Sequence, residues 1–172
     1  MLYQQAQLQI LSFKDPLTNA GNRRAMEEKL IDLLKEQRQQ PAEKKACLLL
    51  IDLDEFKKIN DKQGHACGDD VLKQTAALIE HILTPEQCLF RFGGEEFVVL
   101  ASNNIEQSIA LAENIRQTIN DFPFEQNVRL TVSIGLAEYQ YDETGLEWLA
   151  RADVAMYQAK SAGRDLCCLA GS

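Results

Sequence analysis

The feature that most limits the possible folds is an unbroken apolar run, Ala46–Leu53 (ACLLLIDL), with a single aspartate near its end. A strand with one face in water would alternate apolar and polar residues, and this run does not. Continuous apolar character over so short a length is typical of a strand buried on both faces of a sheet. We therefore expect an α/β protein whose central strand is covered by helices on both sides.

The rest of the chain alternates between helical and strand patterns. Helices are predicted over about 23–39, 54–62, 69–83, 105–120 and 144–161, and further strands over 88–92, 97–101, 128–137 and 166–169. Asn22 is placed to cap the first helix, and Gly93–Glu96 connects two strands as a hairpin turn. This order predicts a mixed sheet of about five strands covered by helices. Residues 1–14 are interpreted as the end of a linker helix, and residues 15–172 as one domain.

Charge and composition exclude several classes of function. The chain has 26 acidic and 18 basic residues and a net charge of −8, which repels nucleic acids and anionic membrane surfaces. No apolar run approaches the ~20 residues that span a bilayer, and the N-terminus does not resemble a signal peptide. Five cysteines without a C-x-x-C pair indicate a reducing compartment, and two histidines make a zinc site improbable. We expect a cytoplasmic domain, free or as the cytoplasmic part of a membrane-anchored sensor.

Two acidic segments are candidates for a cation site. Asp52 ends the buried strand and Asp54 follows it; either could bind Mg²⁺ through a hard oxygen ligand or cap the next helix. The hairpin turn carries Glu95 directly after Gly93 and Gly94, which is either a ligand site or an exposed acidic turn. A shared metal site would support phosphoryl transfer. Cations that could hold phosphates, or could be solvated surface charges, are Lys57, Lys160 and Arg164.

Five ordered segments together resemble the GGDEF family of diguanylate cyclases. The similar segments are Asp15–Thr18 with Asn22–Arg24, Asp52–Lys57 with Asn60–Asp61, Gly64–His65 with Gly68–Asp69, the GGEEF variant of the signature at Gly93–Phe97, and Ala152–Arg164. The resemblance covers nearly the whole chain, from about Asp15 to Arg164. One departure, Asn19-Ala20 in place of the usual Gly-Leu, removes no catalytic group.

The resemblance implies a nucleotidyl cyclase or palm-type fold and the condensation of two GTP molecules into cyclic di-GMP and pyrophosphate. It implies two Mg²⁺ ions, or Mn²⁺ in their place, held by Asp52, the Leu53 carbonyl and Glu95. Glu95 and Lys57 are the expected catalytic residues, with Glu95 helping to deprotonate the 3′-hydroxyl. The expected substrate-binding residues are Asn60 and Asp69 on the guanine, Gly93 and Gly94 beside the nucleotide, and Glu55, Phe56, Lys57, Lys160 and Arg164 around the triphosphate.

The resemblance also implies partners. Two such domains are expected to meet as an antiparallel homodimer, and an upstream sensory or receiver domain is expected to control them within a bacterial signalling protein. The R-x-x-D product-inhibition site of many relatives is missing, because Thr84 and Gln87 stand at its two charged positions. The alternative is a degenerate domain that binds GTP or a protein without turnover. A palm-type polymerase is disfavoured by the negative charge and the lack of a basic stripe.

Overall fold

A computed structural model describes residues 12–39 and 45–171. The expected lead-in helix falls almost wholly outside these residues and stays a prediction. These residues contain five α-helices: α1 (Arg23–Gln39), α2 (Phe56–Gln63), α3 (His65–Ile82), α4 (Ile105–Asp121) and α5 (Gly145–Ser161). The five strands are β1 (Cys47–Leu53), β2 (Gln87–Arg91), β3 (Glu96–Ala101), β4 (Val132–Glu138) and β5 (Cys167–Leu169), and a 3₁₀ turn spans Glu125–Asn127.

The sheet has the order β2-β3-β1-β4-β5, with β1 at its centre. β1 runs antiparallel to β3 and β4, β2 and β3 form the predicted hairpin, and β5 is parallel to β4. The expected mixed five-stranded sheet is therefore confirmed. Every residue of β1 is buried. Because side chains alternate along a strand, Leu49 and Ile51 pack in one apolar layer with α3 and α4, and Leu48 and Leu50 in the other with α1 and α5.

Most predicted helices and strands lie within one or two residues of their expected ends, with two exceptions. α3 begins at His65 rather than near residue 69, because Gly64, at φ 91°, is enough on its own to separate it from α2. β4 begins at Val132 rather than at 128, because its partner β1 ends at Leu53, which lies opposite Val132, and the residues before Val132 have no β1 residue to pair with. Asn22 caps α1 as expected: its Oδ1 accepts a hydrogen bond from the Ala25 amide at 3.0 Å.

The antiparallel pairing brings the acidic segments to one edge of the sheet. Asp52 in β1 lies directly opposite Glu96 in β3 and Ser133 in β4. The Leu53 amide donates to the Glu95 carbonyl at 3.2 Å, so the hairpin turn is fixed beside the end of β1. In the part of the chain that the structure describes, no helix is long and apolar enough to cross a membrane.

Candidate functional site

Three carboxyl groups and one ammonium group meet where β1 ends. Asp52 is only 4% exposed, and Lys160 on α5 places its Nζ 2.9 Å from Asp52 Oδ1. Glu96 lies within hydrogen-bonding reach of Asp52, and Glu95, on the turn, is close enough to feel the same charge. The site therefore concentrates more negative charge than its single lysine balances.

The electrostatics of this cluster favour a bound cation. Burial raises the pKa of Asp52 above its ordinary value, and the nearby Asp54 raises it further, although Lys160 acts in the opposite direction. The pKa of Glu95 and that of Glu96 are also raised, first by burial and then by the charge of Asp52. Crowded carboxylates resist ionisation because their charges repel in a poorly solvated place. A divalent cation would relieve that repulsion and stabilise the ionised forms.

The donor set suits magnesium when the backbone is counted. Asp52 Oδ1 is buried and accepts no well-aligned hydrogen bond within the described residues, despite the nearby Lys160. No three acidic, histidine or cysteine side chains among residues 12–39 and 45–171 form a metal cage of their own. Mg²⁺ commonly takes one or two carboxylates and fills its remaining positions with water and substrate phosphates. Asp52, Glu95 and the carbonyl of Leu53 at the end of β1 fit that requirement.

Asp54, the second candidate of this segment, has a structural role. Its carboxylate accepts hydrogen bonds from Thr131 Oγ1 and Ser133 Oγ, each at 2.7 Å, and from the Asp165 amide at 3.0 Å. It thereby ties the end of β1 to β4 and to the turn before β5. Neither Asp52 nor Asp54 caps α2, because Glu55 occupies the cap position in a left-handed conformation (φ 54°). The capping interpretation is wrong.

The start of α2 is available to an anion. No side chain caps this end, so its first amide groups have no side-chain partner among the described residues. Such amides, with the positive end of the helix dipole, are suited to phosphate. Phe56 is buried beneath the turn, whereas Lys57 is exposed and makes no described contact with the carboxylates. Arg164 is exposed on the turn after α5, near enough to Glu55 to lower the pKa of that carboxyl further, after the larger effect of its partner Lys58.

The expected guanine-reading residues lie on α2 and α3, which pack against each other. Asn60 is half-buried and Asp69 is exposed. The Asn60 side chain rests directly on the backbone of Gly68: a Cβ at Gly68 would stand 1.9 Å from Asn60 Oδ1 and 3.2 Å from the Phe56 ring. Glycine is therefore required at position 68 for the amide to take this position beside Asp69.

We expect Gly68→Ala to weaken GTP binding by about tenfold or more, because the added methyl group would displace the Asn60 amide from the position in which it is expected to bind the base. The helix itself tolerates alanine well. Equilibrium binding of GTP with Mg²⁺, alongside a thermal unfolding curve, checks this. A variant that is folded and binds GTP as the wild type does would show that Asn60 does not contact the nucleotide.

An arginine that the sequence analysis did not identify, Arg91, stabilises the hairpin turn at Gly93 and Gly94. The Arg91 guanidinium donates to the Gly94 carbonyl at 2.8 Å and pairs with Asp15 at 3.1 Å. Asp15 in turn accepts from the Thr18 amide and hydroxyl at 2.9 and 2.7 Å. The first motif of the chain therefore fixes the turn of the signature. Arg91 could have been found only through its place two residues before Gly93.

The structure thus brings some of the expected residues together and leaves Lys57 without a described contact to them. Asp52, Glu95 and Lys160 meet at the end of β1, and Gly93 lies against Glu96, whose Oε2 would stand 3.1 Å from a Cβ at that glycine. Gly94 is exposed, with open space around its Cα. The position of Glu96 beside Asp52 was not predicted. It could have been inferred from the pairing of β1 with β3, in which Asp52 lies directly opposite Glu96.

Comparison with known proteins shows which sequences and folds this chain resembles. Residues 12–166 match the family model described as "Diguanylate cyclase, GGDEF domain". Diguanylate cyclase DgcS of Shewanella oneidensis is 34% identical over 165 residues, covering 96% of this chain and 54% of DgcS. Cyclic di-GMP phosphodiesterase PdeR of Escherichia coli is 36% identical, covering 96% of this chain and 25% of PdeR. The crystal structure of the coiled coil and GGDEF domain of DgcB from Caulobacter crescentus, in complex with c-di-GMP, is 29% identical, with a TM-score of 0.88 over 98% of this chain and 91% of that one.

The chain spans about half of one of these curated relatives and a quarter of the other. Those two relatives carry names of opposite activities, synthesis and hydrolysis of the same dinucleotide. The names of these relatives therefore do not determine the activity of this chain, which depends on its own residues.

Proposed function

The chain belongs to the GGDEF domain family, and on that premise we propose that it is a diguanylate cyclase domain that joins two GTP molecules into cyclic di-GMP. The observation that carries the proposal is the convergence of Asp52, Glu95 and Lys160 beside the uncapped start of α2. Carboxylates for a metal ion and donors for phosphate thus lie side by side, which nucleotidyl transfer requires.

The proposed reaction is an in-line displacement at phosphorus. The 3′-oxygen of one GTP forms a bond to the α-phosphorus of the other, the bond to the β-phosphate oxygen breaks, and pyrophosphate leaves with that electron pair. A second, reciprocal attack closes the ring. Mg²⁺, or Mn²⁺, would neutralise phosphate charge and lower the pKa of the hydroxyl when bound by Asp52, Glu95 and the Leu53 carbonyl.

The chain's own residues supply orientation and charge. Glu95, on the turn beside Asp52, would help to deprotonate the 3′-hydroxyl. Lys160 holds Asp52 in position and is available to the α- and β-phosphates. The amides at Glu55 and Phe56, with Lys57 and Arg164, hold the rest of the triphosphate, and Asn60 with Asp69 reads the guanine edge.

Each domain offers one set of these groups, so the proposal requires two copies that face each other in antiparallel fashion. Proximity of the two nucleotides then supplies much of the rate. The test is incubation of the purified protein with GTP and Mg²⁺, with chromatography for cyclic di-GMP at increasing protein concentration. Product that rises more steeply than protein concentration supports a dimeric cyclase. The proposal is contradicted if no product forms at any protein concentration and none forms when the domain is forced to dimerise.

The second candidate is a domain that binds GTP without turnover, and the similarity to a protein named as a phosphodiesterase is the observation that favours it. The intact Gly93, Gly94, Glu95 and Asp52 argue against it. The same incubation separates the two, because a binding domain would retain Mg²⁺-dependent GTP affinity and form no product.

We also propose a cytoplasmic location and control by an upstream sensory or receiver domain. All five cysteines are free in the structure, which suits a reducing compartment. Relatives longer than this chain leave room for such a domain. Comparing the activity of the full-length protein with that of residues 15–172 under candidate signals tests this control.

We expect cyclic di-GMP not to inhibit this domain through the position of the usual product site. Thr84 and Gln87 hold each other in a turn, with the Thr84 amide donating to Gln87 Oε1 at 3.0 Å, and neither supplies the cation or carboxylate that clamps the product. Titration of cyclic di-GMP into the protein checks this. Tight binding that disappears in Thr84→Ala or Gln87→Ala would contradict it.

A further inference from the structure

A groove of about 590 Å³ lies between α2, the segment that leads into β4 and the turn that leads into β5. One wall is a face of α2 that carries Ile59 and Lys62, and Glu55 lines the groove from the cap position before that helix. Arg129 and Arg164 line the facing segments. The sequence motifs assign a function only to the end of this groove beside the start of α2. They assign none to the residues along the rest of it.

The charged side chains of the groove that have no ion-pair or hydrogen-bond partner among the described residues are all positive, although the whole chain has a net charge of −8. The acidic residues of the groove already have partners: Glu55 pairs with Lys58, Asp54 accepts three hydrogen bonds, and Asp165 pairs with Arg116 from α4. Within residues 12–39 and 45–171, the structure shows no ion pair for the three other cations, which are Lys62, Arg129 and Arg164. All three are exposed. An anion entering the groove would therefore meet donors without displacing an internal partner.

The groove continues directly from the uncapped start of α2. Glu55 and Arg164 line it and also border the place where the triphosphate is expected. A chain of phosphates that begins at the carboxylate cluster and follows α2 would pass from the amides at its first turn to Lys62. Guanidinium groups such as that of Arg129 bind phosphate through two parallel hydrogen bonds.

We infer that this groove binds the pyrophosphate moiety, as the terminal phosphates of bound GTP and as the leaving group, and that Lys62 and Arg129 are further phosphate-binding residues. The inference rests on the proposed function for the identity of the nucleotide. Its ligand class, a compact polyphosphate with several negative charges, is favoured by the three exposed cations, which have no ion pair among the described residues, and by the continuity of the groove with the start of α2. Because pyrophosphate shares this chemistry with the end of GTP, the two sources need separate measurements.

The first measurement is calorimetric titration of the full chain with magnesium pyrophosphate. The double variant Lys62→Ala/Arg129→Ala removes two exposed cations from the groove. The matched control, Lys35→Ala/Arg38→Ala, removes the same two residue types from the exposed side of α1. We expect pyrophosphate affinity to fall about tenfold in the groove variant and to stay unchanged in the control, with a difference that shrinks as salt is added. Equal affinity for wild type and groove variant would overturn the inference.

The second measurement compares GTP with GDP on the same proteins. If the groove holds the γ-phosphate of bound substrate, the groove variant loses affinity for GTP and keeps that for GDP. If it loses affinity for pyrophosphate alone, the groove serves the leaving group only; both results support the inference. Failure of the proposed function gives a different pattern, since the wild type would form no cyclic di-GMP while pyrophosphate binding still depended on Lys62 and Arg129.

Discussion

Replacing Asp52 by asparagine is expected to abolish cyclic di-GMP formation in a domain that remains folded. The amide keeps the shape of the side chain and removes the charge that faces the bound cation. Metal-assisted phosphoryl transfer depends on that charge for several kcal/mol of barrier, so we expect the rate to fall roughly a thousandfold or more. Chromatographic detection of product at saturating GTP and Mg²⁺ measures the loss.

Stability should move in the opposite direction from activity. Burial raises the pKa of Asp52, so the folded state favours a neutral group at this position even with Lys160 beside it. A group whose pKa is raised by folding destabilises the native state when it is ionised, and that penalty fades as pH falls through the folded-state pKa. In metal-free buffer at neutral pH, Asp52→Asn should therefore unfold at the same temperature as the wild type or at a higher one. The difference in unfolding temperature between the two proteins should become smaller at weakly acidic pH.

The matched control for this pair of measurements is Asp32→Asn, at an exposed position of α1. It makes the same chemical change far from the cluster, and we expect neither activity nor unfolding temperature to move. If the Asp52→Asn domain unfolds at a temperature several degrees below that of the wild type, the ionised Asp52 stabilises the fold even without a bound cation. One that still forms product at the wild-type rate would remove Asp52 from the metal site.

Local patterns predicted the fold well where the signal is short in range. The apolar run of β1 and the glycine turn between β2 and β3 each specify their own conformation, so both were found in place. The errors occurred where the local pattern does not contain the deciding contact. Gly64 ends one helix and starts the next without the longer loop that its neighbours suggested. β4 starts only at Val132, where its pairing with β1 begins, and the sequence of residues 128–131 does not reveal where that partner ends.

The site was predicted as far as motifs specify residues, and no further. Asp52, Glu95 and Lys160 were expected to act together, and the sheet does bring them to one place. The supporting contacts join residues far apart in sequence: Arg91 reaches Asp15, 76 residues away, and the Asp165 amide reaches Asp54, 111 residues away. Such pairs are selected by packing and leave no periodic signal in the chain. The cationic groove along α2 was missed for the same reason.

Gly135 illustrates how packing remote from the chemistry controls the site. It lies in β4 where α5 crosses the sheet, and a Cβ there would stand 2.0 Å from the Ala152 carbonyl oxygen and 2.4 Å from the Met156 amide nitrogen. Both atoms belong to the backbone of α5, so no change of side-chain rotamer can make room. α5 also carries Lys160, whose ammonium holds Asp52.

Gly135→Ala is therefore expected to destabilise the domain by about 3 kcal/mol or more, the upper range for overpacking a rigid core. For a chain of this size that lowers the unfolding temperature by roughly 6–12 °C. Below that temperature, displacement of α5 should separate Lys160 from Asp52, so the rate per folded molecule should fall as well. Gly94→Ala is the control for stability, because a Cβ at Gly94 meets open space; its unfolding temperature should match the wild type. If Gly135→Ala has the same unfolding temperature as the Gly94→Ala control, α5 can shift on the sheet without loss of stability. The packing of α5 at Gly135 then does not determine the position of Lys160.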